Sequence, residues 1–179
     1  MVKTNVIVRP AVIGDLPRIA ELNAQIFLGN RGDLESAIQW VTCLFRSHPR
    51  GQYYVAEESD GKSTRIVGYI YWEIHGGFLR AEPAVELEQL AIHPACQGRG
   101  LALELIDKSA DKLMGWILEI NNRIESGVTF FVWAYANNFN AMKVYSKWFG
   151  EPTGFRIQYG ERAENMWRRK ITMVREARF

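Results

Sequence analysis

The sequence predicts an α/β (α+β) fold: a mixed, mostly antiparallel sheet of about seven strands with about four helices on its two faces. Three observations predict it. First, short β-branched or alternating apolar runs are interleaved with stretches of helical spacing in the order β-α-α-β-β-β-α-β-α-β-β. Second, a strand, a glycine turn, a long amphipathic stretch and another strand follow one another between Leu87 and Tyr135. A helical crossover of that kind returns the chain in the same direction, so it places one parallel pair in the middle of an otherwise antiparallel sheet. Third, no Pro/Gly/Ser-rich linker, internal repeat or low-complexity segment divides the chain, and residues 1–179 read as one domain.

The elements follow in order. Val6 to Arg9 is a first strand. Leu16, Ile19, Ala20, Leu22 and Ile26 fall near helical spacing and define a helix from about Asp15 to Ile26, which Gly29-Asn-Arg-Gly32 breaks. Asp33 is a good N-cap for a second helix to about Arg46, and Pro49-Arg-Gly51 ends that element. Gln52 to Glu57 and Arg65 to Ile74 read as a hairpin around the turn-rich Ser59-Asp-Gly-Lys-Ser63. Glu86 to Ile92 alternates charged and apolar residues and leads through His93-Pro94 into the helix after Gly100. Val128 to Tyr135 is a buried strand by its aromatic and β-branched content. Asn137-Asn138 caps the next helix, to Phe149, and Phe155 to Tyr159 and Met166 to Val174 close the sheet.

Composition excludes several functional classes. A net charge of +2 is too small for a protein whose binding is dominated by phosphate neutralisation. Arg168-Arg169-Lys170 reads as a solvated face. The two cysteines, Cys43 and Cys96, imply no disulfide framework, and Cys96, without a His/Asn arrangement, reads as a small space-filling residue. His48, His75 and His93 lack metal-ligand spacing, so no metal is expected. No signal-peptide core and no apolar run near 18 residues occur, which gives the expectation of a soluble, cytoplasmic protein.

The most informative segment is Gln97-Gly98-Arg99-Gly100-Leu101-Ala102. A strand turning through small residues into a helix presents backbone N–H groups at the positive end of the helix dipole, where phosphate binds. Glycine at 98 and 100 keeps Cβ atoms from holding a pyrophosphate away from those amides. The bland alternative is a glycine turn capping an ordinary helix. A P-loop would need Gly-Lys-Ser/Thr at its end, and a dinucleotide fingerprint would need a third glycine where Leu103 stands.

The segment does fit Gln/Arg-x-x-Gly-x-Gly/Ala, read at Gln97, Gly100 and Ala102. There it resembles the acyl-CoA pyrophosphate loop of the GNAT superfamily of N-acetyltransferases. Asn138, Ala141 and Tyr145 with the later Gly154-Phe155 are similar to a second signature of that family, and Val8-Arg-Pro-Ala11 with Asp15-Leu-Pro to its first strand and helix start. The pattern departs at one point: glycine and phenylalanine usually follow the tyrosine by four to five residues, whereas here Phe149-Gly150 comes at that point in reverse order. Glu151-Pro-Thr-Gly154 therefore looks like an inserted turn, which puts the helix exit in doubt.

The resemblance implies a sheet whose parallel pair splays to admit the pantetheine arm of acetyl-CoA, the co-substrate. The backbone of Leu90, Ala91 and Ile92 would pair with that arm, and the amides of Gln97, Gly98, Arg99, Gly100, Leu101 and Ala102 would hold the pyrophosphate. Asn138 would lie on the same helix face as Ala141 and Tyr145, with Ala141 leaving room for the cofactor. Arg99, Lys143 and Lys147 are candidates for the remaining phosphate, against a bland reading as surface charge.

Acetyl transfer needs a neutral amine, a polarised carbonyl and a protonated leaving sulfur. An amine of pKa ~10.4 is only about one part in a thousand neutral at physiological pH, so a carboxylate base is useful. Glu88 and Glu86 fall on one face of their strand, and Glu88 is favoured as nearer the thioester end; edge charges that deter aggregation are the alternative. A backbone N–H near Leu90 to Ala91 would hold the thioester oxygen. Tyr145 is the natural acid for the leaving thiolate, with a packed core aromatic as the alternative.

The acceptor, a small-molecule or protein amine, is left open. Gln25 to Pro49 and His75 to Pro83 are the segments expected to choose it, with Trp40, Phe45, Tyr71 and Trp72 as pocket candidates that are otherwise core. No nucleic-acid or membrane partner is expected, and a homodimer is left open. The competing functional class is a non-catalytic acyl-CoA-binding or regulatory module.

Overall fold

The computed structural model describes residues 5–28, 33–76, 81–121, 123–124, 127–158 and 162–172. Its strands are β1 (Asn5–Pro10), β2 (Gly51–Ser59), β3 (Thr64–His75), β4 (Ala84–Ile92), β5 (Val128–Tyr135), β6 (Gly154–Gln158) and β7 (Arg162–Ile171). Its helices are α1 (Leu16–Asn23), α2 (Leu34–Arg46), α3 (Leu101–Ile120) and α4 (Phe139–Phe149). The strands form one seven-stranded sheet in the order β1-β2-β3-β4-β5-β7-β6. Parallel pairing runs from Ala84↔Thr129 to Leu87↔Val132, where the crossover predicted it. Gly29-Asn-Arg-Gly32, Gly77 to Arg80, Tyr159 and Met173-Val174 lie outside the described residues.

The chain divides into two compact units, Met1–Glu73 with Glu88–Asp111, and Ile74–Leu87 with Lys112–Phe179. In the first, the apolar stripe of α1 (Leu16, Ile19, Ala20, Leu22) and Ala37 and Val41 of α2 pack on Tyr53, Val55, Tyr69, Tyr71 and Ala91 of the sheet. Asp33 caps α2 by accepting from the Ser36 N–H, which satisfies one orphan donor of the first turn. Trp72, fully buried, donates Nε1–H to Ser109 Oγ on α3 at 2.8 Å, so its one polar atom is not stranded.

In the second unit, Val128, Phe130, Val132 and Ala134 alternate inward along β5. Phe130 meets Trp148 edge-on at 5.8 Å, and Trp167 of β7 donates Nε1–H to Ser146 Oγ at 3.2 Å. The basic cluster on β7 is exposed, as its composition predicts. Within it, Arg169 donates to the Trp148 carbonyl at 2.8 Å near the end of α4.

Two element boundaries differ from the sequence reading. The α-helical ladder of α1 ends at Asn23 and continues as a π-helical turn over Ala24–Leu28. The Asn23 side chain there donates to Tyr69 Oη at 2.8 Å and to Gln89 Oε1 at 3.2 Å, a buried polar network that a periodicity of apolar residues does not register. β7 begins at Arg162, four residues before the apolar run. Its start is held by pairing with β6 and by Arg156, which donates to the buried Glu164 carboxylate directly across the ladder at 2.7 Å.

One stability prediction arises at the start of α1. Arg9 donates to Asp15 Oδ2 at 2.7 Å and to Glu57 Oε2 at 2.6 Å, and Val12 N–H donates to Asp15 Oδ2 at 2.8 Å. Burial pushes the Asp15 carboxyl up, but the hydrogen bonds from Arg9 and Val12 and the Arg9 charge outweigh it and hold it below the usual range. A lowered carboxyl stabilises the fold at neutral pH and loses that contribution as pH falls through its folded value. Asp15→Asn is expected to cost about 1–3 kcal/mol in denaturant titration at pH 7, with the gap to wild type closing as pH falls below the usual carboxylate range. An equal gap at both pH values would show that the charge is not what matters.

Candidate active site

The glycine loop is built from the end of β4 outward. After Ile92, the chain is pinned by His93 N–H to Val67 O at 2.8 Å, and a tight turn follows with Cys96 N–H on His93 O and Gln97 N–H on Pro94 O. Cys96 is buried in that turn as a small residue, while Cys43 is exposed on α2. Gly98 and Gly100 both have positive φ, 76° and 81°. A Cβ built on either would meet nothing within 4 Å, so the demand for glycine here is conformational before it is one of space. The first backbone bond closing α3 is Glu104 N–H to Gly100 O at 3.1 Å, which leaves the first-turn amides of Leu101 to Leu103 outside the helical ladder. Residues 97–100 are exposed and stand at the positive end of a 20-residue helix.

Two expected contributions from this loop are otherwise engaged. The Gln97 amide is committed to Pro94 O, and its side-chain Nε2 donates to the Ile92 carbonyl at 3.0 Å, so Gln97 ties the loop to the strand end. The Arg99 guanidinium lies on the carboxylate of Glu58, a contact that spans 41 residues of sequence. Gly98, Arg99, Gly100, Leu101 and Ala102 form the rest of the turn and the first residues at the positive end of α3.

The two strand carboxylates have different surroundings. Glu86 is half-buried, and its Oε2 lies 2.8 Å from His75 Nε2; the His75 ring packs on Phe131 at 5.5 Å. Glu88 is exposed. Burial raises the Tyr53 and Tyr71 phenols, and the negative charge of Glu88 adds to both shifts. Gln89, next along the strand, is buried on the opposite face with Asn23 and Tyr69. Leu90 is half-buried, and Ala91 and Ile92 are buried.

On α4, Asn138 is the N-cap and its Oδ1 accepts from Ala141 N–H at 3.2 Å. One helical turn on, Tyr145 is buried, its ring 6.2 Å from Phe149 and 5.8 Å from Trp167. Burial pushes the phenol well above its ordinary value, so it keeps its proton through the neutral range. Lys143 and Lys147 are exposed. The helix exit, in doubt from sequence, is made by Gly150 with φ 93°, and Gly154-Phe155 opens β6 instead.

Of the aromatic residues proposed for an acceptor pocket, Trp40 is exposed and Phe45 half-buried on α2, while Tyr71 and Trp72 are core. The segment His75 to Pro83 includes four residues outside those described. Sequence reasoning missed Glu58 and the His75–Glu86 pair. For Glu58 a signal did exist: an acidic residue one turn-length before the hairpin loop, with Arg65 at the matching distance beyond it. Among the described residues no group of three or more His, Cys, Asp or Glu side chains could hold a metal ion, and no helix is long and apolar enough to cross a membrane.

Solved structures similar to this one include the spermidine N-acetyltransferase of Vibrio cholerae in complex with CoA and spermine. Its TM-score is 0.66 at 15% identity, covering 92% of this chain and 95% of that one. Another is the ribosomal-protein-S18-alanine N-acetyltransferase of Escherichia coli, with a TM-score of 0.67 at 16% identity, covering 98% and 99%. At such identities these establish the fold. No curated protein matches the sequence significantly. The model of the acetyltransferase (GNAT) family matches residues 16–150, three quarters of the chain, and with the parallel pair, the glycine loop and the capped α4 in their expected order the chain belongs to that family.

Proposed function

We propose that the chain is an acetyl-CoA-dependent N-acetyltransferase, one domain over residues 1–179, that moves the acetyl group to a primary amine by direct attack in a ternary complex. The observation that carries this reading is the exposed loop of Gly98 and Gly100, both at positive φ, at the N-terminus of α3 within an acetyltransferase fold. Amine acceptors are supported by the neighbours, one solved with CoA and spermine and one that acetylates a protein alanine.

In this reading the amides of Gly98 to Ala102 bind the pyrophosphate, and the backbone of Leu90 to Ile92 receives the pantetheine arm and polarises the thioester oxygen. Glu88 takes the proton of the attacking amine. The nitrogen–carbon bond forms, the carbon–sulfur bond breaks, and Tyr145 donates a hydrogen bond to the departing sulfur, which takes its proton from solvent. Glu88 is favoured as the base because it is the exposed carboxylate of the two and the nearer to the thioester end of the strand, with Glu86 as the alternative. No metal takes part in this scheme.

The burial of Tyr145 between Phe149 and Trp167 favours a second reading, an acyl-CoA-binding module in which that ring only packs. CoA release from acetyl-CoA, assayed against polyamines, amino acids and peptides with free N-termini, separates the two. Acceptor-dependent release supports the enzyme; tight CoA binding with no release above hydrolysis across the panel supports the module.

With an acceptor in hand, Glu88→Gln is expected to shift the pH–rate profile upward. Without a base, only amine already deprotonated by solvent reacts, a fraction that grows about tenfold per pH unit below the amine pKa of ~10.4. Glu86→Gln is expected to leave the profile in place. A profile moved by Glu86→Gln and not by Glu88→Gln would reverse the assignment.

A further inference from the structure

Glu58 is an unusual residue to find almost fully buried, at 3% exposure, on a strand of the sheet. The side-chain period of two puts it on the opposite face from Glu57, which serves Arg9. Both of its oxygens are used by guanidinium groups. Oε2 accepts from Arg65 Nη2 at 2.6 Å and Nε at 3.1 Å, across the β2–β3 ladder where Glu58 and Arg65 are register partners. Oε1 accepts from Arg99 Nη2. The hydrogen bonds of Arg65 and Arg99 outweigh the effect of burial and keep the carboxyl below its usual range, hence ionised.

What Arg99 is attached to makes this pair informative. It is the one residue between Gly98 and Gly100, both at positive φ. Two glycines in succession around a single residue give a loop many alternative conformations, and glycine loses more freedom on ordering than any other residue. A fixed guanidinium between them removes most of that freedom. Arg65, by contrast, belongs to a strand that the ladder already orders, so its share of Glu58 adds little order of its own. One carboxylate against two guanidiniums leaves the cluster at net +1, so Glu58 does not repel an approaching phosphate.

We propose that Glu58 is a positioning residue for the cofactor: through Arg99 it holds the Gly98–Gly100 loop in the conformation whose amides receive the pyrophosphate of acetyl-CoA. This rests on the proposed cofactor. It replaces the simpler role for Arg99, a free cation reaching for phosphate, and the two differ in sign. If Arg99 were a phosphate ligand held back by Glu58, removing the carboxylate charge would tighten CoA binding; as a clamp, it loosens it.

The test is Glu58→Gln in the full chain, with Arg99→Met and the double variant completing a cycle. Arg65 and Arg99 keep substantial solvent exposure, so Glu58→Gln strands no buried charge and should fold. Two readouts are taken. By calorimetry with CoA, Glu58→Gln is expected to raise Kd about 10- to 100-fold, the weight of a charge-assisted hydrogen bond, and to add nothing once Arg99 is already Met. By NMR relaxation without CoA, the amide order parameters of Gly98 and Gly100 are expected to fall from about 0.85 toward 0.6 in Glu58→Gln, with those of β2 and β3 unchanged. Wild-type protein that binds CoA, with Glu58→Gln binding equally or more tightly, overturns the clamp and leaves the cofactor reading standing. Losses that add in the double variant, or that spread to the strand amides, overturn it in favour of a general structural role. Wild-type protein that does not bind CoA removes the cofactor reading itself, and the clamp with it.

Discussion

Gly100→Val is expected to abolish measurable acetyl-CoA binding while the protein still folds. The reasoning separates two effects that a single substitution usually mixes. At φ 81° a β-branched residue is strained by about 1–3 kcal/mol, and relief comes from rotating the backbone out of the left-handed region. In the proposed site, rotation at this position turns the amides at the start of α3 away from the pyrophosphate. The fold itself is not at risk, because an added Cβ meets nothing within 4 Å, so no core atom has to move. Kd for CoA should therefore rise by about 100-fold or more, since strain, lost amide contacts and the valine side chain over the loop act together. Gly61→Val is the control. Gly61 has a similar positive φ, 83°, and the same open surroundings, but lies in the β2–β3 turn. It should lose comparable stability and keep its affinity. Equal CoA affinity in folded Gly100→Val and wild type would remove the loop as the pyrophosphate site.

That loop also shows how far local pattern carries and where it stops. Elements whose cause is local were readable: Asp33 and Asn138 cap helices because each has a short polar acceptor followed at once by helix-forming residues. The parallel pair followed from a crossover helix, a rule of connection that needs no partner to be known. The site residues whose behaviour was not readable are those governed by a distant partner. Arg99 belongs to Glu58, 41 residues away, and Glu86 lies 2.8 Å from His75. Alternation along β4 gives Glu86 and Glu88 the same face, and only the folded surroundings, which half-bury Glu86 and expose Glu88, tell them apart. β7 was read as starting four residues late because a strand opening of Arg, Ala, Glu and Asn has no apolar signature, and its first half is ordered by β6 and by the Arg156–Glu164 pair. The helix exit, which glycines at 150 and 154 left in doubt, falls after Phe149 where the helical composition ended, and of the two only Gly150 takes a positive φ.

Tyr145→Phe is expected to lower kcat by about 10- to 1,000-fold while leaving acetyl-CoA affinity within about twofold. Phenylalanine keeps the ring and thus the packing against Phe149 and Trp167, so what the variant removes is the hydroxyl alone. The raised phenol sharpens what that hydroxyl can do. A thiol ordinarily titrates near ~8.5, below even an unperturbed tyrosine at ~10, so full proton transfer from Tyr145 to the sulfur is uphill and burial makes it more so. Its contribution therefore lies in a hydrogen bond to a sulfur that is gaining charge in the transition state, where a preorganised donor in a dry setting is strongest. The pH dependence follows from the same direction. An acid with an ordinary phenol pKa would bring a fall in kcat near pH 10; a raised one moves that fall to higher pH, so the alkaline limb near 10 should be absent in wild type. Glu88→Gln, which acts on the amine, should move the rise of the profile up toward the amine pKa of ~10.4 and likewise show no fall near pH 10. A Tyr145→Phe protein with an unaltered kcat for a true acceptor would make Tyr145 a packing residue and leave the departing sulfur to another donor. A wild-type kcat that falls near pH 10 and is flat in Tyr145→Phe would keep the tyrosine as the donor but show that its phenol is not raised when the cofactor is bound.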